Sequence, residues 1–354
     1  LSETKTKETW SFIESHLRKL REPALGSPKQ PTYWPSEASA IATNEYGEDE
    51  VLGACRRSTF FRYASSCHAY EPEKYVWLDE LIRLKKDLYV PESDYMRFIW
   101  EMGSMFETYV INAAKTSKVF EQEQVPIYSR EHNISGKIDL IVRDPFTDML
   151  TPVEIKSVYG MGASKTIGTA SMFSNGAMGT PKDSNLMQIA LYDWLYCSSH
   201  RDLFEYSRLL YGGRDTGSFG EYRVASILNR NTNEIEIFYK GIYPIEAETM
   251  KARFTVSSIL NQFIYITDHL ENLKTVPPKD FQAEYSPEKI QQLYERNLLS
   301  KTDKEQHEKH IAREKEREAA AISGEKQRPT IKPVIKGDWQ CNYCSNKRLC
   351  SVID

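Results

Sequence analysis

Two carboxylates and a lysine are the residues most able to do chemistry: Asp139, and the tripeptide Glu154-Ile155-Lys156. In an extended strand residues two apart share a face, so Glu154 and Lys156 project together while Ile155 points into a core. Upstream, Gly136-Lys137-Ile138-Asp139-Leu140-Ile141-Val142 also alternates, with Ile138, Leu140 and Val142 on one side and Lys137, Asp139 and Ile141 on the other. Asp144-Pro145-Phe146-Thr147-Asp148 reads as a turn between them. The spacing predicts an antiparallel hairpin whose polar faces bring Asp139, Glu154 and Lys156 together at a sheet edge. Carboxylate oxygens are hard donors suited to Mg²⁺ or Mn²⁺. A lysine beside such an ion orients an attacking water and offsets charge growing on a phosphate. An amphipathic surface hairpin with ordinary salt bridges fits the same spacing, so these residues by themselves leave both readings open.

The flanking elements must position them. From Asp94 to Lys115, Phe98, Ile99, Met102, Phe106 and Val110 recur at three- and four-residue steps, which predicts a helix with one core stripe. Gly103 and Glu107 share a face of it. There Gly103 allows close backbone approach, and Glu107 is either a third carboxylate for the metal or a plain surface residue. Residues 160–183 are rich in Gly, Ser and Thr and read as a mobile loop, with Lys165 and Lys182 placed to touch phosphates. A helix follows from Ser184 to about Cys197, carrying Gln188 and Tyr192 one turn apart. Strands are expected at Tyr222–Asn229 and Glu234–Tyr243, and a helix over Ala247–Leu273.

The cysteines form a second constellation. Cys341-Asn342-Tyr343-Cys344 and Cys350 cluster near the C-terminus, and Cys55-Arg56-Arg57 lies far upstream at the start of an expected helix. Six cysteines in 354 residues are too few for a disulfide scaffold, and their clustering points to metal. A Cys-x-x-Cys loop lets two thiolates reach one centre. One pair plus singletons favours a cubane iron–sulfur cluster over zinc. Cys67 and Cys197 read as small core residues.

Composition bounds the rest. The chain is 40% hydrophobic and 27% charged, with a mean hydropathy of -0.56, enough for a substantial core and about two domains. No apolar run is long enough to span a bilayer. The polar N-terminus lacks a secretory apolar segment, so a cytoplasmic protein is expected. A formal net charge of -4 argues against a general polycation but leaves room for a local basic groove. Trp10, Phe12, Ile13, Leu17 and Leu20 suggest a short amphipathic stretch before a Pro-rich connection. Residues 287–326 form a charged arm, in which His307 and His310 read as part of a solvated helix rather than a metal pair. No Gly-Lys-Ser/Thr loop follows a strand, so an ATPase motor is not expected. The expected organisation is an N-terminal extension over 1–50, a core over 51–285, the arm over 286–335 and a cysteine segment over 336–354.

Taken in order, Gly103-x-x-x-Glu107, Gly136-x-x-Asp139, Glu154-x-Lys156 and Gln188-x-x-x-Tyr192 resemble the PD-(D/E)XK nuclease superfamily, in its RecB-like branch. The cysteine distribution, one before and three after these motifs, resembles that of Cas4-type nucleases. The likeness covers about residues 50–200 and the last fifteen. Glu107 departs from the histidine usual in that branch and resembles phage exonuclease relatives. The resemblance implies an α/β fold with a restriction-endonuclease-like core, a central mixed sheet flanked by helices, and an iron–sulfur subdomain joining both ends. It implies a Mg²⁺- or Mn²⁺-dependent deoxyribonuclease, an exonuclease acting on single-stranded DNA or DNA ends. The ion would be held by Asp139, Glu154, the Ile155 carbonyl and Glu107, with Lys156 catalytic. Gln188, Tyr192 and Lys165 would contact DNA. Cys55, Cys341, Cys344 and Cys350 would hold a [4Fe-4S] cluster, with zinc as the alternative. A second implied reading is a DNA-end-binding or adaptation-type subunit working with a helicase, recombination or integrase partner through the charged arm. Homo-oligomerisation is compatible with either.

Overall fold

The computed structural model describes residues 30–89, 94–145, 147–171, 174–197, 204–324 and 326–353. The amphipathic stretch expected at Trp10 to Leu20 lies outside the described residues.

A small hairpin, β1 (Ser39–Thr43) with β2 (Asp49–Gly53), leads into helix α1 (Arg56–Tyr70) and then α2 (Asp79–Asp87) and the long α3 (Asp94–Thr116). Three strands follow, β3 (Phe120–Ser129), β4 (Ile134–Arg143) and β5 (Leu150–Val158). A crossover then runs through α4 (Met161–Ile167), the hairpin β6 (Gly168–Ser171) and β7 (Ser174–Met178), and α5 (Asp183–Tyr192). Next come β8 (Ser207–Gly213), β9 (Phe219–Asn229), β10 (Glu234–Tyr243), β11 (Met250–Thr255) and α6 (Val256–Asp268). The chain closes with α7 (Pro287–Glu295), α8 (Lys301–Ser323), α9 (Trp339–Asn342) and α10 (Lys347–Val352).

Seven strands build one mixed sheet in the order β11-β10-β9-β8-β5-β4-β3. Only β5 and β8 pair in parallel, with Glu154 opposite Leu209 and Lys156 opposite Tyr211. A parallel pair cannot be closed by a tight turn, and the α4-to-α5 crossover supplies the return path. On one face, α3 packs Ile111 and Ala114 against Leu140, Val153 and Ile155. The other face carries the main core, where Met187 and Leu191 of α5 and Phe263 of α6 meet Ile138, Ile141, Leu209 and Tyr211. Tyr33 stacks between Tyr63 and Phe263, at centroid distances of 4.1 and 4.6 Å, and joins the N-terminal segment to that layer. The protein is therefore α/β, a mixed sheet between helices, as the sequence led one to expect.

Several elements differ from expectation, each for a physical reason. The β4–β5 hairpin forms, but β5 lies inside the sheet rather than at an edge, because β8 pairs with its free side. Residues 160–183 are not simply a loop. A Cβ on Gly168 or Gly179 would fall 2.1 Å from the Ala177 carbonyl or 2.5 Å from the Thr166 backbone, so these glycines serve close packing. The helix expected from Ala247 begins only at Val256. Before it, Ala252 and Phe254 of β11 point inward while Lys251 and Arg253 are exposed, a period-two pattern. The charged arm folds as α7 and α8 around Ile290, Leu299 and Val334. There His307 is buried against Tyr294 and bonded to Gln291 at 3.0 Å, while His310 bonds the Ile331 carbonyl at 2.8 Å. His307 is thus packed inside the arm and not solvated as expected, while His310 stays partly exposed on the same helix. Cys67 and Cys197 are buried in the core, as expected.

Gly53 ends β2 two residues before Cys55 with φ of +82°, a conformation that residues with a Cβ rarely adopt. A Cβ there would sit 2.4 Å from the Ala38 carbonyl, which already accepts the Ala54 N–H at 2.9 Å. Gly53→Ala is expected to cost about 2–4 kcal/mol, since positive-φ strain adds to overpacking against backbone. Urea unfolding of the variant beside the wild type measures this, and an unchanged midpoint would refute it.

Candidate active site

The backbone ladder between β4 and β5 runs from Arg143↔Leu150 to Leu140↔Val153 and stops there. Beyond that point the strands diverge, and a side chain replaces the missing rung: Asp139 Oδ2 accepts the Ile155 N–H at 2.8 Å. This bond fixes the Asp139 carboxylate against the strand that carries Glu154 and Lys156. Ile155 turns toward α3, so Glu154 and Lys156 share the opposite face, with Lys156 Nζ 2.6 Å from Glu154 Oε1. Glu107, on α3, accepts a bond from Gln124 Nε2 of β3 at 2.6 Å and feels the charges of Asp139 and Lys156. The structure thus brings together Glu107, Asp139, Glu154 and Lys156. A Cβ on Gly103 would make only an ordinary contact, 3.8 Å from Ser157 Oγ, so the approach of α3 to β5 does not depend on glycine there, contrary to expectation.

Three carboxylates share this space with one lysine. Burial, then the Glu154 charge, pushes Asp139 up to about 7. Burial raises Glu154 as well, against the pull of Lys156, and burial followed by the Asp139 charge raises Glu107. Lys156 is held above its ordinary value: burial works against its charge, but Glu154, Asp139 and Glu107 outweigh it. Glu154 is 1% exposed, and its second oxygen, Oε2, is buried with no donor beside it other than the Asp139 carboxyl, which hydrogen-bonds Glu154 only when it carries a proton. A buried, unpaired carboxylate oxygen carries a desolvation penalty of roughly 1–3 kcal/mol or more. Hard oxygen donors, excess negative charge and an orphaned oxygen together fit a divalent cation. Asp139, Glu154 and Glu107 would hold it, with the adjacent Ile155 main chain.

Gln188 and Tyr192 lie elsewhere than a strand on the surface would reach. Both are buried, and Gln188 Nε2 donates to Tyr192 Oη at 3.1 Å. The ring lies beneath Gly136, where a Cβ would come within 3.2 Å of Tyr192 Cε1. Burial and the charges of Glu154 and Asp139 keep the phenol protonated far above its usual range. Lys165 is exposed on α4, and its described bond is through its carbonyl, which accepts the Thr180 N–H at 2.8 Å. Lys182 feels the charge of Lys156, and burial followed by that repulsion lowers it. Its backbone N–H donates to Tyr211 Oη at 3.1 Å, which fixes the start of α5 above β8. Tyr211 and Gln124 had no motif to mark them; each acts only because the sheet order places it beside the carboxylates.

The cysteines meet at the N-terminal end of α1, where Cys55 is the N-cap. Cys55, Cys341, Cys344 and Cys350 all line one cavity of about 740 Å³. Burial pushes the Cys55 thiol up to about 12 and that of Cys350 to about 11, and the cysteines reinforce one another. Arg57 and Lys347 also line the cavity and offset negative charge there. Arg57 Nη2 donates to the Ile353 carbonyl, and Asn346 Nδ2 donates to Ser58 Oγ at 3.3 Å, so α1 and the C-terminal segment are tied directly. All six cysteines are free of disulfides. Among the described residues no group of three or more His, Cys, Asp or Glu side chains, whether these cysteines or the carboxylates, is disposed to hold a metal ion. Four soft sulfur donors around one cavity nonetheless have the chemistry of a cluster or zinc site.

No helix among the described residues is long and apolar enough to cross a membrane. No protein-family model matches the chain, and no curated protein matches its sequence.

Proposed function

We propose that this protein is a metal-dependent deoxyribonuclease with a PD-(D/E)XK core, acting on single-stranded DNA or DNA ends. The observation that carries the reading is the orphaned Glu154 oxygen within a three-carboxylate, one-lysine group at the point where β4 and β5 part. Asp139, Glu154 and the Ile155 carbonyl, with Glu107, would hold Mg²⁺ or Mn²⁺. When bound, the ion supplies Lewis acidity and lowers the pKa of water for attack on a phosphodiester.

The chain's own residues do the remaining work. Lys156, already fixed by Glu154, donates to the attacking water or a phosphate oxygen and offsets charge as phosphorus becomes five-coordinate. Asp139 keeps Glu154 and Lys156 in register through its bond to Ile155. Gln188 and Tyr192 brace the carboxylates from beneath, a positioning role instead of a DNA contact. Lys182 adds positive charge where a phosphate meets Lys156. The four-cysteine cavity is proposed to hold a [4Fe-4S] cluster that joins α1 to the C-terminal segment, with zinc as the alternative.

The test is degradation of end-labelled single- and double-stranded DNA with Mg²⁺, Mn²⁺ or EDTA, using wild type and Lys156→Ala. Metal-dependent product is expected from the wild type, with a loss of about 10²–10³-fold in the variant, the range for removing one charge-stabilising donor. A folded, metal-supplied wild type that leaves both DNAs intact would overturn the proposal.

A further inference from the structure

We infer that Trp100 and Tyr159 form a base-stacking platform at the mouth of the carboxylate–lysine site, selecting unpaired nucleotides over duplex. The inference rests on the nuclease reading and deepens it.

Trp100 lies on α3 seven positions before Glu107, about two turns upstream on the same face. At Gly103 the helix crosses the end of β5 beside Ser157, so Trp100 stands just past the strand that carries Lys156. Tyr159 follows directly on β5. The two aromatics are joined by Arg214. Its Nη1 donates to the carbonyl of Ile99, the neighbour of Trp100, at 3.1 Å, and its guanidinium lies 5.9 Å from the Tyr159 ring centre.

These residues are exposed yet rigidly held. Trp100 is 51% and Tyr159 63% exposed. The Tyr159 turn is pinned by two bonds to the β8–β9 connection: Arg214 N–H to the Val158 carbonyl at 3.0 Å, and Gly160 N–H to Asp215 Oδ2 at 3.0 Å. Exposed aromatic faces cost hydration, and fixing them in advance removes the ordering cost of a later contact. Every base has a π face, so such a platform accepts any sequence, but a duplex keeps its faces stacked inside. Arg214 adds positive charge beside Tyr159, and Lys156 and Lys182 supply it at the carboxylates. Phe98, Met105 and Tyr109 point away from Glu107 on the far side of α3 and take no part.

The experiment is fluorescence anisotropy in EDTA, where cleavage is silent, with labelled oligothymidylate, the same backbone bearing abasic sites, and blunt duplex. Wild type is expected to bind oligothymidylate at least tenfold more tightly than the abasic strand. Trp100→Ala and Tyr159→Ala should each weaken that binding by roughly tenfold or more, the effect of losing one stacked base. Trp100→Phe and Tyr159→Phe, which keep a ring, should restore it. Equal affinity for thymidylate and abasic strands, or alanine variants that bind as the wild type does, would overturn the inference. A wild type that cleaves DNA yet shows no base preference sinks the platform alone, whereas absence of cleavage with metal sinks the nuclease reading.

Discussion

Asp139→Asn is expected to stabilise the metal-free protein at pH 8 while abolishing cleavage. Burial and the neighbouring Glu154 lift Asp139 from 3.8 to about 7, so the folded protein holds a proton there that the unfolded chain releases near pH 4. For a raised carboxylate the stabilising contribution is complete below the unfolded value and is lost as pH rises through the folded one. At pH 8 the folded state therefore carries a buried charge beside Glu154, at a cost on the order of a few kcal/mol. Asparagine reproduces the protonated acid: its oxygen still accepts from Ile155 N–H, and its amide donates toward Glu154, as the acid proton does. The two proteins should unfold at similar urea concentrations near pH 4 and separate progressively up to pH 7, the variant being the more stable. Equal midpoints at pH 8 in EDTA would refute this. The same substitution removes an anionic donor to the metal, and cleavage should fall by at least about 10³-fold. A gain in stability coupled to a loss of activity is the mark of a group placed for catalysis at the expense of folding.

Cys350→Ser is expected to remove the visible absorbance of anaerobically purified protein and to lower its thermal stability sharply. Cys350 sits on the last helix, α10, yet shares its cavity with Cys55 at the start of α1. A centre joined to both closes a loop of about 300 residues, which by the entropy of cross-linking is worth roughly 5 kcal/mol. Serine preserves size but offers a poor ligand for a soft metal. Cys67→Ser is the control: Cys67 is buried beside Tyr63 and Tyr75, away from the cavity, and its loss should leave the absorbance intact. Absorbance that survives Cys350→Ser would remove this cysteine from the ligand set. Iron and zinc analysis of the wild type separates the two metals.

Much of the site was legible because period two is a local property. Glu154, Ile155 and Lys156 alternate whatever surrounds them, and the turn composition after Arg143 marks where the hairpin closes. The α/β class is what the resemblance in motif order implies, and the mixed sheet with its flanking helices agrees with it. Other elements were hidden because tertiary context overrides local pattern. β3 reads Phe120-Glu121-Gln122-Glu123-Gln124, polar at successive positions, because as an edge strand it has solvent beside it. β8 was passed over, although Leu209 and Tyr211 alternate inward, because its role depends on a parallel partner far back in the chain. The spacing of Gln188 and Tyr192 gives an i,i+4 pair, but periodicity carries no depth, and only packing shows that their face is buried.

The sequence by itself determined that Glu154 and Lys156 share a face, that Gly103 and Glu107 lie on one side of a helix, and that two groups of cysteines flank the core. These are consequences of strand and helix geometry over a few residues. Only the tertiary structure decided that β5 is central, that Asp139 supplies the missing rung to Ile155, and that one Glu154 oxygen is left with no donor but the Asp139 carboxyl. It also brought Cys55 to Cys350, and Lys182 to Lys156. Burial and charge coupling are sums over neighbours distant in the chain, and no short stretch of sequence contains them.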